Sequence, residues 1–258
     1  MKNALILLLV SLALAAVPTM GHGEDSWRAL PLIDDGKVAD GWVHIGWGAF
    51  AVDEGSLRTD CDEKGMGLLL YRQEKFGDCQ IRVVYRSKNP KSNAGVFVRI
   101  DEGVLKRLDD KGPAISRNAN GGLSEGALAT LMQASEQERG AWYPVHHGYE
   151  VQICDDADEH HRTGSVYSLS EAKPLPKKKP EDWSTMVITL EGQVISVEVD
   201  GKHVSRFDSG SGKIRADRKW YEPKREPVRP VEGYIGLQNH DPGDVIYFKE
   251  VSVRRLKP

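Results

Sequence analysis

The sequence has few cysteines and no excess of charge of either sign. Its 258 residues include three cysteines, and 35 Lys plus Arg stand against 38 Asp plus Glu, for a formal charge of -3. So small a net charge excludes a strongly basic nucleic-acid binder. The hydrophobic share of 40% excludes a disordered tail. The chain therefore has the composition of a globular protein that is long enough to bury a core.

Because their number is odd, the three cysteines cannot all pair with one another. In an oxidising compartment, Cys61 and Cys79 could join neighbouring strands and leave Cys154 free. Alternatively, all three are small core residues. A catalytic thiol is the least expected role, since no cation adjoins Cys154 that would stabilise a thiolate.

The longest hydrophobic run lies at the N-terminus. Lys2 is followed by residues 4–17, of which only Ser11 is polar, and then by Pro18 and small residues. A helix of these fourteen residues would measure about 21 Å, which is less than the roughly 30 Å core of a bilayer. We therefore expect a signal peptide over residues 1–21, export to the periplasm or outside the cell, and no stable membrane insertion of the mature chain.

Beyond this segment, short runs of alternating polar and apolar residues are separated by Gly, Asp and Asn. Such alternation predicts β-strands, and the steps Gly192-Gln193 and Asp200-Gly201 predict antiparallel hairpins. The predicted strands are 80–86, 94–100, 149–153, 165–169, 186–191, 194–199, 234–239 and 245–253. No linker divides the chain, so we expect one all-β domain over residues 24–258.

Residues 101–147 interrupt the alternation. Within them, Ser124 is a suitable N-cap, and Leu128, Leu131 and Met132 follow it at helical spacing. The pattern predicts one short helix inside a long insertion.

Charge is concentrated in two segments. Residues 209–230 are rich in Pro and basic residues, which is typical of a solvated loop or, alternatively, of an anion-binding patch. Residues 146–161 hold four of the eight histidines and several carboxylates. Such a segment could bind a divalent cation through Asp155 and one histidine, although the spacing matches no closed zinc pattern. A solvated polar loop is the other interpretation.

Three predicted strands carry an apolar face opposite a face with directed hydrogen-bonding groups. Carboxylate, guanidinium, amide and imidazole side chains each offer two or more donors or acceptors. The residues on these polar faces are Asn93, Arg99, Glu150, Gln152, Gln238 and His240. They form either a concave ligand-binding face or the solvated side of a one-sided sheet.

Four motifs follow one another along the chain: Asn93 to Arg99, Gly148 to Ile153, Gly164 to Tyr167, and Gly233 to His240. Together they resemble the 3-keto-disaccharide hydrolase domain family of secreted bacterial proteins. The resemblance extends over about residues 30–256. It implies a concanavalin A-like jelly-roll sandwich of two antiparallel sheets.

The resemblance also implies a reaction. Members of that family act on glycosides oxidised at C3, where the ketone acidifies the hydrogen on C2. A base then removes this hydrogen and the substituent on C1 leaves. Water then adds across the double bond, which makes the enzyme a hydrolase, or an enol product is released, which makes it a lyase. By this resemblance, Glu150 or His240 would remove the proton, and Arg99 or a divalent metal ion would stabilise the oxyanion. The candidate ligand of such a metal is Asp155, from the charged segment of residues 146–161 and not from the resemblance.

The remaining implied roles concern substrate binding. Asn93, Gln152, Tyr167 and Gln238 would orient the hydroxyl groups of a carbohydrate. Neither a nucleotide cofactor nor a nucleic-acid partner is expected. Two other functions stay open: a non-catalytic carbohydrate-binding module of the same fold, and a structural domain of the cell envelope.

The sequence departs from the family pattern in three places. Ala94 stands where the family has Ser, but it points to the apolar side, so little is lost. The closing Phe-Arg-Asn of the family is replaced by Phe248-Lys249-Glu250, which removes any role for that arginine. The insertion of residues 101–147 directly precedes Glu150, so it could cover or reshape a site there.

Overall fold

The computed structural model describes residues 26–211, 213–226 and 228–256. The expected signal peptide, residues 1–21, lies outside these ranges, so export stays a prediction. Within them, no helix is both long and apolar enough to cross a membrane.

The described residues form mainly short β-strands. In chain order the strands are β1 (Arg28–Ala29), β2 (Ile33–Asp34), β3 (Lys37–Val38), β4 (Trp42–Gly46), β5 (Ala49–Asp53), β6 (Ser56–Asp60), β7 (Gly67–Phe76), β8 (Cys79–Ser87), β9 (Ala94–Ile100), β10 (Tyr149–Ile153), β11 (Ser184–Glu191), β12 (Val194–Val199), β13 (Lys202–Asp208), β14 (Gly233–Asn239) and β15 (Ile246–Arg255). The α-helices are α1 (Glu125–Glu136) and α2 (Trp142–His147), and a 3-10 helix spans Glu102–Arg107.

Two antiparallel sheets enclose the main core. One sheet has the order β13-β12-β11-β8-β15-β6-β5, with β1 also paired to β15, and the other has the order β10-β9-β14-β7-β4. Val96 and Val151 of the second sheet are fully buried in one cluster with Ile188 and Val197 of the first. Alternate residues of each strand thus point into the space between the sheets. The prediction of an all-β jelly-roll sandwich is confirmed.

One predicted strand is wrong. Residues 165–169 form only a single bridge, between Val166 and Val151. Both Leu169 and Ser170 donate their backbone N–H to the carbonyl oxygen of Val166, so the chain turns back on itself there. Ser165 accepts a backbone hydrogen bond from Gln152 and Tyr167 donates one to Glu150, and the turn then ends this short pairing before a strand can form.

The insertion adds a second, smaller core. Helix α1 starts after Ser124, whose hydroxyl accepts a hydrogen bond from the N–H of Ala127, as predicted. Helix α2 and the 3-10 helix were not predicted. They pack on the outer face of the five-stranded sheet, where Val104 and Tyr143 meet Phe97 in one buried cluster. The insertion therefore covers part of that outer face and leaves the rest open.

All three cysteines are free thiols, so the Cys61–Cys79 pairing is corrected. Cys79 is buried in the core, and Cys61 and Cys154 are half-buried. Burial raises the pKa of Cys61 to about 11, that of Cys79 to about 12 and that of Cys154 to about 11. These thiols therefore stay protonated at neutral pH.

Candidate active site

The floor of the site is the open part of the five-stranded sheet. Strands β10, β9 and β14 lie side by side, with Gln152 opposite Gly95 and Leu237 opposite Val96. Gln238 follows Leu237 and therefore lies on the other side of Gly95 from Gln152. Two amide side chains thus flank a residue that has no side chain.

The Glu150 side chain fills the space that Gly95 leaves. A Cβ on Gly95 would lie 2.6 Å from Cγ of Glu150 and 2.8 Å from its Cδ. Only 9% of Glu150 is exposed, and no described residue hydrogen-bonds its carboxylate. Burial raises the pKa of Glu150 to about 8, against the lowering effect of the His240 charge. At neutral pH the group is therefore mainly a neutral carboxylic acid.

His240 stands at the end of β14, with an acidic residue behind its ring. Its Nδ1 lies 3.2 Å from Oδ2 of Asp244 and 3.8 Å from Oδ2 of Asp241. Burial alone would lower the pKa of His240, but these two carboxylates and Glu150 outweigh it and raise the pKa. With Nδ1 bound to Asp244, Nε2 is the nitrogen that can exchange a proton with a ligand.

Two polar atoms of the floor have no partner among the described residues. These are Oδ1 of Asn93 and Oε1 of Gln238, and both are buried. A buried acceptor without a hydrogen bond costs about 1–3 kcal/mol, so such atoms mark a place where a ligand supplies donors. Hydroxyl groups are donors of the right kind.

A cavity of about 330 Å³ lies over this floor. That volume falls within the usual range for small-molecule sites. The structure brings together in its lining six residues singled out from the sequence: Asn93, Glu150, Gln152, Tyr167, Gln238 and His240. Burial, followed by the charge of Glu150, raises the pKa of Tyr167, so its phenol stays protonated.

The walls of the cavity come from segments that sequence reasoning had not assigned to a site. The insertion contributes Ile115, Leu123, Leu131, Trp142 and Val145, together with Arg117. Residues 213–226 contribute Trp220 and Tyr221. The ring centroids of Trp142 and Trp220 are 5.8 Å apart. In the sequence, the one signal that could have indicated this wall was the adjacent aromatic pair Trp220 and Tyr221 within the basic, proline-rich residues 209–230.

Buried Glu222 holds the loop with Trp220 against the domain. Its carboxylate accepts a hydrogen bond from the N–H of Lys219 at 3.0 Å and another from Arg225 at 3.2 Å. Nε2 of His161 lies 3.1 Å from the same carboxylate. Glu222 and Arg225 of this segment thus hold the aromatic wall in place, while Lys213, Asp217 and Lys219 remain exposed to solvent.

Arg99 lies outside the cavity, so its expected place beside Glu150 is corrected. Its φ of 53° is left-handed and breaks the strand alternation, and Ile100 then joins the same cluster as Phe97. Nη2 of Arg99 donates to the carbonyl oxygen of Gly192, 2.7 Å away in the turn between β11 and β12. The guanidinium therefore braces the two sheets and cannot reach a ligand on the floor.

Asp155 also lies outside the cavity, where it accepts a hydrogen bond from Oγ1 of Thr163 at 2.5 Å. In the described part of the chain, ligand atoms of three acidic or histidine residues come within 4.8 Å of one another at Glu159, His160 and Glu171. That group excludes Asp155 and does not line the cavity. The described residues of the cavity thus form no comparable ligand set, and no chemical step is assigned to a metal.

Comparison with known proteins gives a family match and several structural matches. A model of the 3-keto-alpha-glucoside-1,2-lyase-like domain matches residues 27–254. The fold is similar to that of a protein from Parabacteroides distasonis ATCC 8503, provisionally named a glycosyl hydrolase. The TM-score is 0.60 and the identity 18%, over 90% of this chain and 100% of that one.

A second structure of a protein with the same provisional name and from the same organism has a TM-score of 0.56 and 16% identity, over 84% of this chain and 89% of that one. A Bacillus subtilis protein of unknown function with a galectin-like fold has a TM-score of 0.51 and 12% identity, over 89% of this chain and 98% of that one. At these identities the likeness shows the fold. No curated protein matches the sequence.

Proposed function

Because the chain belongs to the 3-keto-alpha-glucoside-1,2-lyase-like domain family, we propose that it cleaves 3-keto-glycosides by elimination across C1 and C2. The observation that carries the proposal is the cavity in which a protonated carboxyl, Glu150, and a histidine backed by a carboxylate, His240, share one amide-lined floor. An elimination needs one group to accept a proton and another to donate one.

The raised pKa of Glu150 and the carboxylate behind His240 support one division of the two roles. Nε2 of His240 removes the proton from C2, and Asp244 stabilises the imidazolium that forms. The electrons of the C2–H bond first form an enolate over C2, C3 and the C3 oxygen. Collapse of this enolate forms the double bond between C1 and C2 and breaks the bond from C1 to the glycosidic oxygen. Glu150 gives its proton to that oxygen, so the products are an unsaturated 3-keto sugar and the free alcohol. The reaction needs no oxidant and consumes no water.

The floor amides stabilise the enolate that develops at the C3 oxygen. Oε1 of Gln152 accepts the backbone N–H of Ile153 at 3.2 Å, so its N–H groups are the ones that face a ligand. Gln238 and Asn93 have unpaired carbonyl oxygens that accept hydrogen bonds from sugar hydroxyls. Tyr167 lines the same cavity and supplies a further phenolic donor.

A carbohydrate-binding module of the same fold is the second candidate. The unpaired amides of Asn93 and Gln238 would serve binding alone equally well. The buried Glu150 favours chemistry, because a carboxyl with a strongly raised pKa in a cavity is typical of an acid catalyst.

Replacing Glu150 tests the acid role. We expect Glu150→Gln to slow the release of an alkyl alcohol from a 3-keto-glucoside by about 10²- to 10⁴-fold, since that oxygen cannot leave unprotonated. Release of 4-nitrophenol, which leaves as a stable anion, falls much less. Product release is followed by chromatography, with the exposed Glu171→Gln as the matched control.

Equal loss for both leaving groups would refute the acid role of Glu150, and full turnover of both would refute its participation. If neither Glu150→Gln nor the wild type forms product while both bind the sugar, the protein is a binding module.

The pH dependence tests the pair. Activity requires neutral His240, whose pKa lies above its usual 6.5, and protonated Glu150, whose pKa is about 8. We therefore expect kcat/KM to follow a narrow bell, rising with pH as His240 loses its proton and falling again near pH 8 as Glu150 ionises. In Asp244→Asn the rising limb moves to lower pH, because the charge that raises the pKa of His240 is gone. A rising limb that stays in place would contradict the assignment of His240 as the base.

A further inference from the structure

The insertion presents apolar side chains to solvent at the mouth of the cavity. In α1, Leu128, Leu131 and Met132 lie on one side of the helix, by their spacing of three and four residues. Leu128 is 38% exposed and Met132 is 44% exposed, while Leu131 lines the cavity. Leu123 is 39% exposed and also lines it. The buried residues of the helix are instead the small Ala127, Ala134 and Ser135.

The walls above the polar floor offer few free hydrogen-bonding groups. Arg117 is the one charged residue that the insertion contributes to the cavity lining. Its three nitrogens are engaged with Asp241 at 2.5 Å, the carbonyl oxygen of Gly121 at 3.2 Å and that of Glu63 at 3.3 Å. The hydroxyl of Tyr221 is hydrogen-bonded to Lys219.

From these two observations we infer that the substrate's leaving group is an apolar, flat alcohol, such as a phenol, that packs against the insertion. The inference rests on the proposed function and names its substrate class. The 3-keto sugar lies on the floor of Gln152 and Gln238, and its aglycone lies between Leu123 and the indole of Trp220.

A second sugar would fit these walls poorly. The possible partners of a sugar hydroxyl there are the indole N–H groups of Trp142 and Trp220 and the carboxylate of Asp241, which Arg117 already engages, so most hydroxyl groups would lose water without gaining a partner. An aryl group loses no hydrogen bonds, covers exposed leucine and stacks on the aromatic wall. The exposed stripe of α1 and the apolar walls form one surface because Leu131 belongs to both. An aglycone larger than one ring would extend along that stripe.

The insertion provides a matched pair of variants for the test. Leu123→Gln alters a leucine that lines the cavity, and Leu105→Gln alters one of nearly equal exposure, 38%, that does not. The substrates are the 3-keto derivatives of phenyl α-glucoside and of a glucose–glucose disaccharide. We expect kcat/KM of the wild type to be at least about tenfold higher for the phenyl compound.

Leu123→Gln should lower the phenyl value by about fivefold and leave the disaccharide value within about twofold. Leu105→Gln should change neither. Trp220→Leu should lower the phenyl value by about tenfold or more.

The outcomes separate this inference from the function on which it rests. If the disaccharide is cleaved as well as the phenyl compound, or if Leu123→Gln and Leu105→Gln behave alike, the inference fails while the proposed function stands. If the wild type cleaves neither compound, the proposed function fails. Quenching of tryptophan fluorescence by unoxidised phenyl α-glucoside and by the disaccharide then measures which aglycone the cavity binds, and tighter binding of the disaccharide overturns the inference.

Discussion

At the scale of single residues, the site depends on a position without a side chain. Gly95 has an ordinary strand backbone, so its value lies in the space that it leaves for the carboxyl of Glu150. Burial in that space keeps Glu150 protonated. Glu150 can thus act as the proposed acid because Gly95, which lies opposite Gln152 on the neighbouring strand, has no side chain.

Gly95→Ala should therefore displace the Glu150 carboxyl, because the added methyl would overlap it. We expect kcat to fall by about 10²-fold, the size of effect that a shift of about 1 Å in a catalytic group produces. The measurement is turnover of a 3-keto-glucoside beside a thermal unfolding curve. Gly77→Ala is the control, since its Cβ would have its nearest contact at 3.6 Å. Unchanged turnover in Gly95→Ala would show that the position of Glu150 does not matter.

At the scale of elements, His146 joins three segments that build the cavity wall. Its Nδ1 accepts a hydrogen bond from the N–H of Lys224 at 3.1 Å, so the proton lies on Nε2. That nitrogen donates to the carbonyl oxygen of Ser135 at 2.9 Å. Helix α2 is thereby linked to α1 and to the loop of Trp220. The bonds require a neutral ring.

This requirement predicts a loss of stability in acid. Burial, followed by the charge of Lys224, lowers the pKa of His146 from 6.5 to about 4. The unfolded chain therefore binds this proton more readily than the folded one. The contribution of His146 to the free energy of unfolding falls as the pH drops from 6.5 toward 4, by up to roughly 3 kcal/mol in total.

Urea unfolding at a series of pH values measures this dependence. His146→Gln should remove that part of the slope between pH 4 and 6.5, whereas substitution of the exposed His203 by Gln should keep it. An unchanged slope in His146→Gln would contradict the buried neutral ring.

At the scale of the whole molecule, three layers are stacked. They are the larger sheet from β13 to β5, the five-stranded sheet, and the insertion on the outer face of the five-stranded sheet. The two clusters on either side of the five-stranded sheet bury nearly all of β9 and β14, so the floor of the cavity belongs to the most buried part of the fold. No described cysteine is cross-linked, so packing and hydrogen bonds such as that of Arg99 hold the layers together.

A reducing agent should accordingly leave the unfolding temperature unchanged. The measurement compares thermal unfolding with and without dithiothreitol, on protein prepared under oxidising conditions. The control is Cys79→Ser, which places a hydroxyl in the core and should lower the unfolding temperature in both buffers. A lower unfolding temperature in the presence of the reductant would show that two cysteines pair.

The sequence by itself determined seven strands of the sandwich, from β8 to β12 together with β14 and β15, the cap of α1 and six polar residues of the cavity. These are local properties, since alternation along a strand decides which residues share a face. Export also stays a prediction from sequence alone.

Only the tertiary structure decided the rest. It turned Arg99 away from the floor, because one left-handed residue shifts the alternation that follows it. It also brought Trp220 to a cavity whose floor lies on strands as far away in sequence as β9, through the contacts of Glu222. Burial, which depends on several segments packing together, then raised the pKa of Glu150. The charges and walls of a site depend on packing between distant segments, and a pattern of neighbouring residues does not encode that packing.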